Sequence, residues 1–143
     1  MNNINDLIKN TINRMRYIEF CLIYKGEVSR SDLIRKFGIK EASATRDLKQ
    51  YMDDTNSKNA HFDSRLKKHL ILDKTFVPLF KITDEEALFW LKVESFSTTN
   101  EFLTYRFKRL SLPGQNVLAT ISRAIINNKC VKIEYMSLNS GKG

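Results

Sequence analysis

Arg30-Ser31-Asp32-Leu33-Ile34-Arg35-Lys36-Phe37-Gly38-Ile39-Lys40-Glu41-Ala42-Ser43-Ala44-Thr45-Arg46-Asp47-Leu48-Lys49-Gln50-Tyr51 decides how this chain is read. The spacing predicts a short helix, a turn at Gly38 and a second helix over about 40–52. Leu33, Ile34 and Phe37 turn inward from the first helix, and Ala44, Leu48 and Tyr51 from the second, at i, i+4 and i+7. Ser29 or Ser31 can cap the first helix with its hydroxyl. The second helix then shows Ser43, Thr45, Arg46, Lys49 and Gln50 outward, with Glu41 and Ala42 near its start. A helix-turn-helix whose second helix enters a DNA groove has this pattern, and so does an ordinary solvated helix face.

Upstream, Met15, Ile18 and Leu22 form a stripe that predicts a helix over about 11–24, with Cys21 in the core beside it and Gly26 as left-handed cap. Downstream, residues 53–57 stop the second helix of the motif. His61-Phe62-Asp63-Ser64 and His69-Leu70-Ile71-Leu72 then flank a mostly basic tip, Arg65-Leu66-Lys67-Lys68, as in a β-hairpin. A hairpin alone is marginal, so it must pack on the helices. Three helices and a basic-tipped hairpin follow the order of a winged helix.

Each candidate contact has a chemical reason and a plainer rival. Arg46 can make a two-pronged contact to guanine and Gln50 can reach adenine, while Ser43, Thr45 and Lys49 complete a base-reading set. Arg30 and Ser31, at an amino-terminal helix end, and Lys40, at the start of the next, can hold phosphate, or simply cap and solvate. Arg65, Lys67 and Lys68 can lie on the DNA backbone, where contacts position without specifying. A charged hairpin that resists edge-to-edge pairing has the same composition.

Past Pro78 the character changes. Thr83-Asp84-Glu85-Glu86 is a capping-box pattern opening a helix through about residue 96, whose Phe89, Trp90 and Phe96 read as packing. Ser97-Thr98-Thr99-Asn100 breaks it, and Pro113-Gly114 marks a further boundary. A helix over about 115–127 carries Leu118, Ile121 and Ile125 as its apolar stripe, with Val117 at the edge. Val131, Ile133 and Tyr135 alternate with Lys132 and Glu134 and predict a strand.

The 143 residues carry 24 Lys+Arg against 16 Asp+Glu, a net charge of +8 that favours a nucleic acid or an anionic surface as partner. Residues 1–75 hold 15 basic and 10 acidic side chains, and 76–143 hold 9 and 6, so the first part is the more basic. Two cysteines, Cys21 and Cys130, lie far apart and suggest neither a disulfide framework nor a zinc site. His61 and His69 lack further ligands of persuasive spacing. No catalytic residue, metal or cofactor is expected, and neither a signal peptide nor a membrane span is evident. The expectation is a cytoplasmic, nucleoid-associated protein.

A family resemblance adds to this reading. Arg16-Tyr17-Ile18-Glu19-Phe20, the run from Gly26 through Asp32-Leu33, Phe37-Gly38-Ile39 with Asp47-Leu48 and Tyr51, and Phe76-Val77-Pro78 resemble the winged-helix half of WYL-domain transcriptional regulators. The subgroup is the BrxR/CapW-type repressors that accompany bacterial anti-phage systems such as BREX and CBASS. Leu118-Ala119 through Ala124-Ile125, with Val131-Lys132-Ile133-Glu134-Tyr135-Met136-Ser137, resembles the opening of the WYL domain.

Together the two readings give a mainly α fold with small β. A winged helix-turn-helix DNA-binding domain covers 1–78, a helical linker 79–114, and an incomplete α/β WYL-type domain 115–143. The chain is expected to be truncated early in that domain, and the effector ligand of the missing portion is unidentified. The resemblance implies a homodimeric repressor of a phage-defence operon, binding an inverted repeat in double-stranded promoter DNA. The alternative is a winged-helix protein-interaction module without specific DNA binding. Single-stranded nucleic acid is a weaker option, because few aromatics lie among the basic residues.

Overall fold

Tyr17-Ile18-Glu19-Phe20-Cys21-Leu22-Ile23-Tyr24 is apolar on every side except at Glu19, and a helix of that kind must be surrounded. In the computed structural model, which describes residues 3–95 and 115–134, all eight are buried. They end helix α1 (Asn3–Phe20), which begins well before the expected residue 11 and widens into a single π-helical turn, Cys21–Lys25. Gly26 closes the turn at φ +81, its amide donating to the Leu22 carbonyl at 3.0 Å.

Strand β1 (Glu27–Val28), which has no strand signature of its own, leads into α2 (Arg30–Phe37) and α3 (Glu41–Asp54). Ser29 caps α2 in a reciprocal box: its hydroxyl accepts from the Asp32 amide, and the Asp32 carboxylate accepts from the Ser29 amide at 2.8 Å. Gly38 makes the turn at φ +63. Leu33 is fully buried, Ile34 and Phe37 pack on the core, and Ala44, Leu48 and Tyr51 face inward from α3 as the spacing predicts.

Strands β2 (Ala60–Asp63) and β3 (Lys68–Ile71) form the wing. Each strand runs one residue earlier than expected, because the Asp63 carboxylate accepts from the Arg65 and Leu66 amides at 2.9 Å and so turns the chain. Lys67 completes the tip in the left-handed region at φ +53. The sheet is antiparallel in the order β1-β3-β2, with Glu27 opposite Leu70 and Phe62 opposite His69.

A buried polar cluster ties these parts together. The Glu19 carboxylate accepts from the Tyr51 hydroxyl at 3.0 Å and from the Leu79 and Phe80 amides at 2.7 and 2.8 Å. Asn59 donates to the Tyr51 hydroxyl and to the Val77 carbonyl, and accepts from the Val77 amide. The chain leaving the wing is thereby pinned across α1 and α3. Burial pushes the Glu19 carboxyl above its ordinary range, against the Leu79 and Phe80 amides, the Tyr51 hydroxyl and the Arg16 charge.

Helix α4 (Asp84–Ser95) continues the same core through Ile82, Ala87 and Leu91, with Trp90 edge-on to Phe20 at 4.9 Å. Thr83 caps α4 by accepting from the Glu86 amide, but the Glu86 carboxylate pairs with Arg16 at 2.6 Å rather than turning back. Phe89, expected to pack, is 62 % exposed, and Phe96 lies outside the described residues. The predicted breaks at 97–100 and 113–114 also lie outside them.

Helix α5 (Gln115–Ile126) departs from the predicted stripe. Leu118 is buried, but Ile121 and Ile125 are exposed, and Ala119, Ser122 and Ala124 take the inner face. The cause is what α5 packs against, the carbonyl-rich end of the π-helical turn. Ser122 Oγ donates to the Tyr24 carbonyl at 2.6 Å, and Arg123 donates to the Ile23 carbonyl at 2.6 Å while pairing with Asp73 at 3.0 Å. Residues 131–134 form no strand, for no described strand pairs with them, and Tyr135 lies outside the described residues.

Candidate nucleic-acid interface

The outward face of α3 is held at a defined angle from beneath. Asp47, almost fully buried, accepts from Arg14 of α1 through both carboxylate oxygens, at 2.5 and 3.3 Å. With Tyr51 tied to Glu19 one turn later, α3 cannot rotate about its axis without breaking a buried polar contact.

On the opposite side Thr45, Arg46, Lys49 and Gln50 are exposed and Ser43 is half-buried. Thr45 Oγ1 donates to the Glu41 carbonyl at 3.0 Å, so its hydroxyl is turned toward its own helix and keeps lone pairs to accept with. Gln50 donates from Nε2 to Asp54 at 2.8 Å, an intrahelical bond that a base edge would have to replace. Among the described residues, Arg46 and Lys49 have no ion-pair partner.

The candidates from other elements sit around this face. Arg30 and Ser31 are exposed on the first turn of α2, and Arg30 reaches Glu41 at 2.6 Å across the helix-turn-helix. Lys40 occupies the N-cap position of α3, without a side-chain cap bond. Arg65 and Lys67 lie exposed at the wing tip, whereas Lys68 sits on β3 with its ammonium 2.5 Å from Glu27 of β1. The cations of the wing therefore differ in availability: Lys68 is answered by a carboxylate, and Arg65 and Lys67 are not, among the described residues.

Between α3 and the wing runs an open groove of about 440 Å³. Arg30, Lys49 and Lys67 reach it from three different elements, and Leu48, Met52 and Phe62 give it an apolar lining. His69 lies against Phe62, ring centroids 5.1 Å apart, and burial, with a smaller effect from the His61 charge, lowers its pKa. The sequence singled out the cations of this groove but neither Phe62 nor Met52, since nothing local tells that the hairpin folds back beside α3. Among the described residues no group of three or more His, Cys, Asp and Glu side chains is placed to hold a metal ion. No described helix is long and apolar enough to cross a membrane.

The sequence profile of the BrxR transcriptional regulator winged helix-turn-helix domain matches residues 10–93, more than half of the chain. The matched span runs from the middle of α1 through the wing into α4, and so contains the whole of the groove. A search of curated proteins returned no match.

Proposed function

The chain belongs to the BrxR transcriptional regulator winged helix-turn-helix family, and from that premise we propose that it binds a promoter sequence-specifically and represses transcription there. The observation that carries the reading is the shared groove: Thr45 and Lys49 of α3, Arg30 of α2 and Lys67 of the wing all open onto one side of the domain. That side can approach a duplex with α3 in the major groove and the wing on the adjacent backbone.

In this reading Arg46 and Gln50 read base edges, with Ser43, Thr45 and Lys49 beside them. Arg30, Ser31, Lys40, Arg65, Lys67 and Lys68 contact or face phosphates and set the register. The protein acts as a homodimer on an inverted repeat, its two recognition helices entering successive major grooves ~34 Å apart. The operon it controls is a phage-defence operon, and residues 115–143 begin a WYL-type domain. These finer assignments rest on the family resemblance of the quoted sequence segments.

Nuclease footprinting of the region upstream of the protein's own operon tests the proposal. Protection confined to an inverted repeat with half-sites about one helical turn apart is expected. Equal protection of all sequences, or none at all together with capture of a protein partner, would overturn it.

A further inference from the structure

Phe62 is a large apolar side chain left 56 % exposed on β2, and it is not part of the core. It stands beside the groove between α3 and the wing, with Leu48 and Met52 on the facing helix. The groove's rim is cationic, with Arg30, Lys49 and Lys67, and no carboxylate lines it. Lys49 and Lys67 have no acidic partner among the described residues. A cationic rim over an apolar floor complements a chain that alternates anionic groups with apolar rings, as a sugar–phosphate strand does. An acidic peptide would supply the charges, but its backbone amides and carbonyls would meet an apolar floor that leaves them unsatisfied.

We propose that this groove seats one deoxyribose–phosphate strand of the bound duplex, with Phe62 covering the sugar and Lys49 and Lys67 taking the flanking phosphates. The inference rests on the DNA-binding reading above and adds to it a contact that discriminates the sugar. Phe62, Leu48 and Met52 offer a 2′-hydroxyl no partner, and the Thr45 hydroxyl already donates to the Glu41 carbonyl. A ribose in the groove would lose water from its 2′-hydroxyl and regain no hydrogen bond. Phe62 thus makes the groove selective for DNA at the nucleotide it covers. Lys49 moves in this assignment from reading a base to holding a phosphate.

The test is a ribonucleotide scan of the promoter fragment, one ribose introduced at a time on each strand, read by gel shift. Wild-type protein is expected to lose about tenfold in affinity at one position per half-site. Phe62→Ser should bind the all-DNA fragment about five- to tenfold more weakly, with an unchanged salt slope, and should lose the ribose penalty. Phe62→Leu, which keeps an apolar cover, should restore most of the affinity and the penalty. Because Phe62 lies outside the core, thermal melting of each variant should match wild type, which separates a contact effect from misfolding. If wild type binds the fragment but no position is sensitive to ribose, or Phe62→Ser keeps the penalty, the groove assignment falls and the DNA reading stands. If wild type fails to bind the fragment, both fall together.

Discussion

The Tyr51 hydroxyl donates to Glu19 Oε1 at 3.0 Å in the interior, where both side chains are almost fully inaccessible to water. This bond joins the recognition helix to the central helix, and through Asn59 it reaches the chain emerging from the wing. Removing the hydroxyl in Tyr51→Phe leaves a Glu19 oxygen and an Asn59 amide short of a partner. The expected cost is ~1–3 kcal/mol, seen as a lower denaturant midpoint with an unchanged slope.

The same site sets a pH dependence. Burial holds the Glu19 pKa above its unfolded value of 4.5. The folded state therefore binds the proton more tightly, so this contribution to stability is full below pH 4.5 and is lost as pH rises through the folded pKa. The stability of wild type relative to Glu19→Gln should accordingly fall as the pH is raised from 4.5. Denaturation curves of both proteins at matched pH values check this, and a difference that stays constant or grows with pH would count against it.

Asp47 and Arg14 set the angle of α3 through a largely buried ion pair. Asp47→Ala would leave the guanidinium partly buried without its carboxylate, at a cost toward the lower end of ~3–5 kcal/mol. Chemical denaturation of the variant measures it directly.

Gly38 makes the helix turn at φ +63 with no atom within 4 Å of where a β-carbon would sit. The cost of Gly38→Ala is therefore conformational, about 1 kcal/mol, without a steric clash. Thermal melting should show that modest loss, and DNA affinity should survive.

Arg123 fastens α5 to the Ile23 carbonyl and to Asp73. Hydrogen exchange in Arg123→Met should speed up along Gln115–Ile126 while the amides of Glu41–Asp54 keep their protection. Equal acceleration in both helices would mean that α5 and the head open as one unit.

Legibility in the sequence followed how local each signal is. The Ser29–Asp32 capping box, the Gly38 turn and the Ala44–Leu48–Tyr51 stripe are properties of a few adjacent residues, and all three are found in the structure. Strand β1 consists of two residues and exists only because Glu27 and Val28 meet Leu70 and His69, some forty positions away. Glu19 and Asp47 read locally as outward charges, and only their distant partners explain their burial. In α5 the larger Ile121 and Ile125 gave way to Ser122, because the surface it covers presents carbonyls needing donors. The candidate contacts followed the same division. The residue types on α3 and at the wing tip could be named from pattern, whereas the groove joining them, with Phe62 in it, depends on tertiary folding.

The central claim is that α3 reads sequence, and Arg46→Ala tests it most directly against the footprinted promoter repeat and a random duplex of equal length. A bidentate base contact is worth ~1–3 kcal/mol of discrimination, so the variant should lose roughly five- to 150-fold on the repeat and little on random DNA. Unchanged binding to both would contradict the claim.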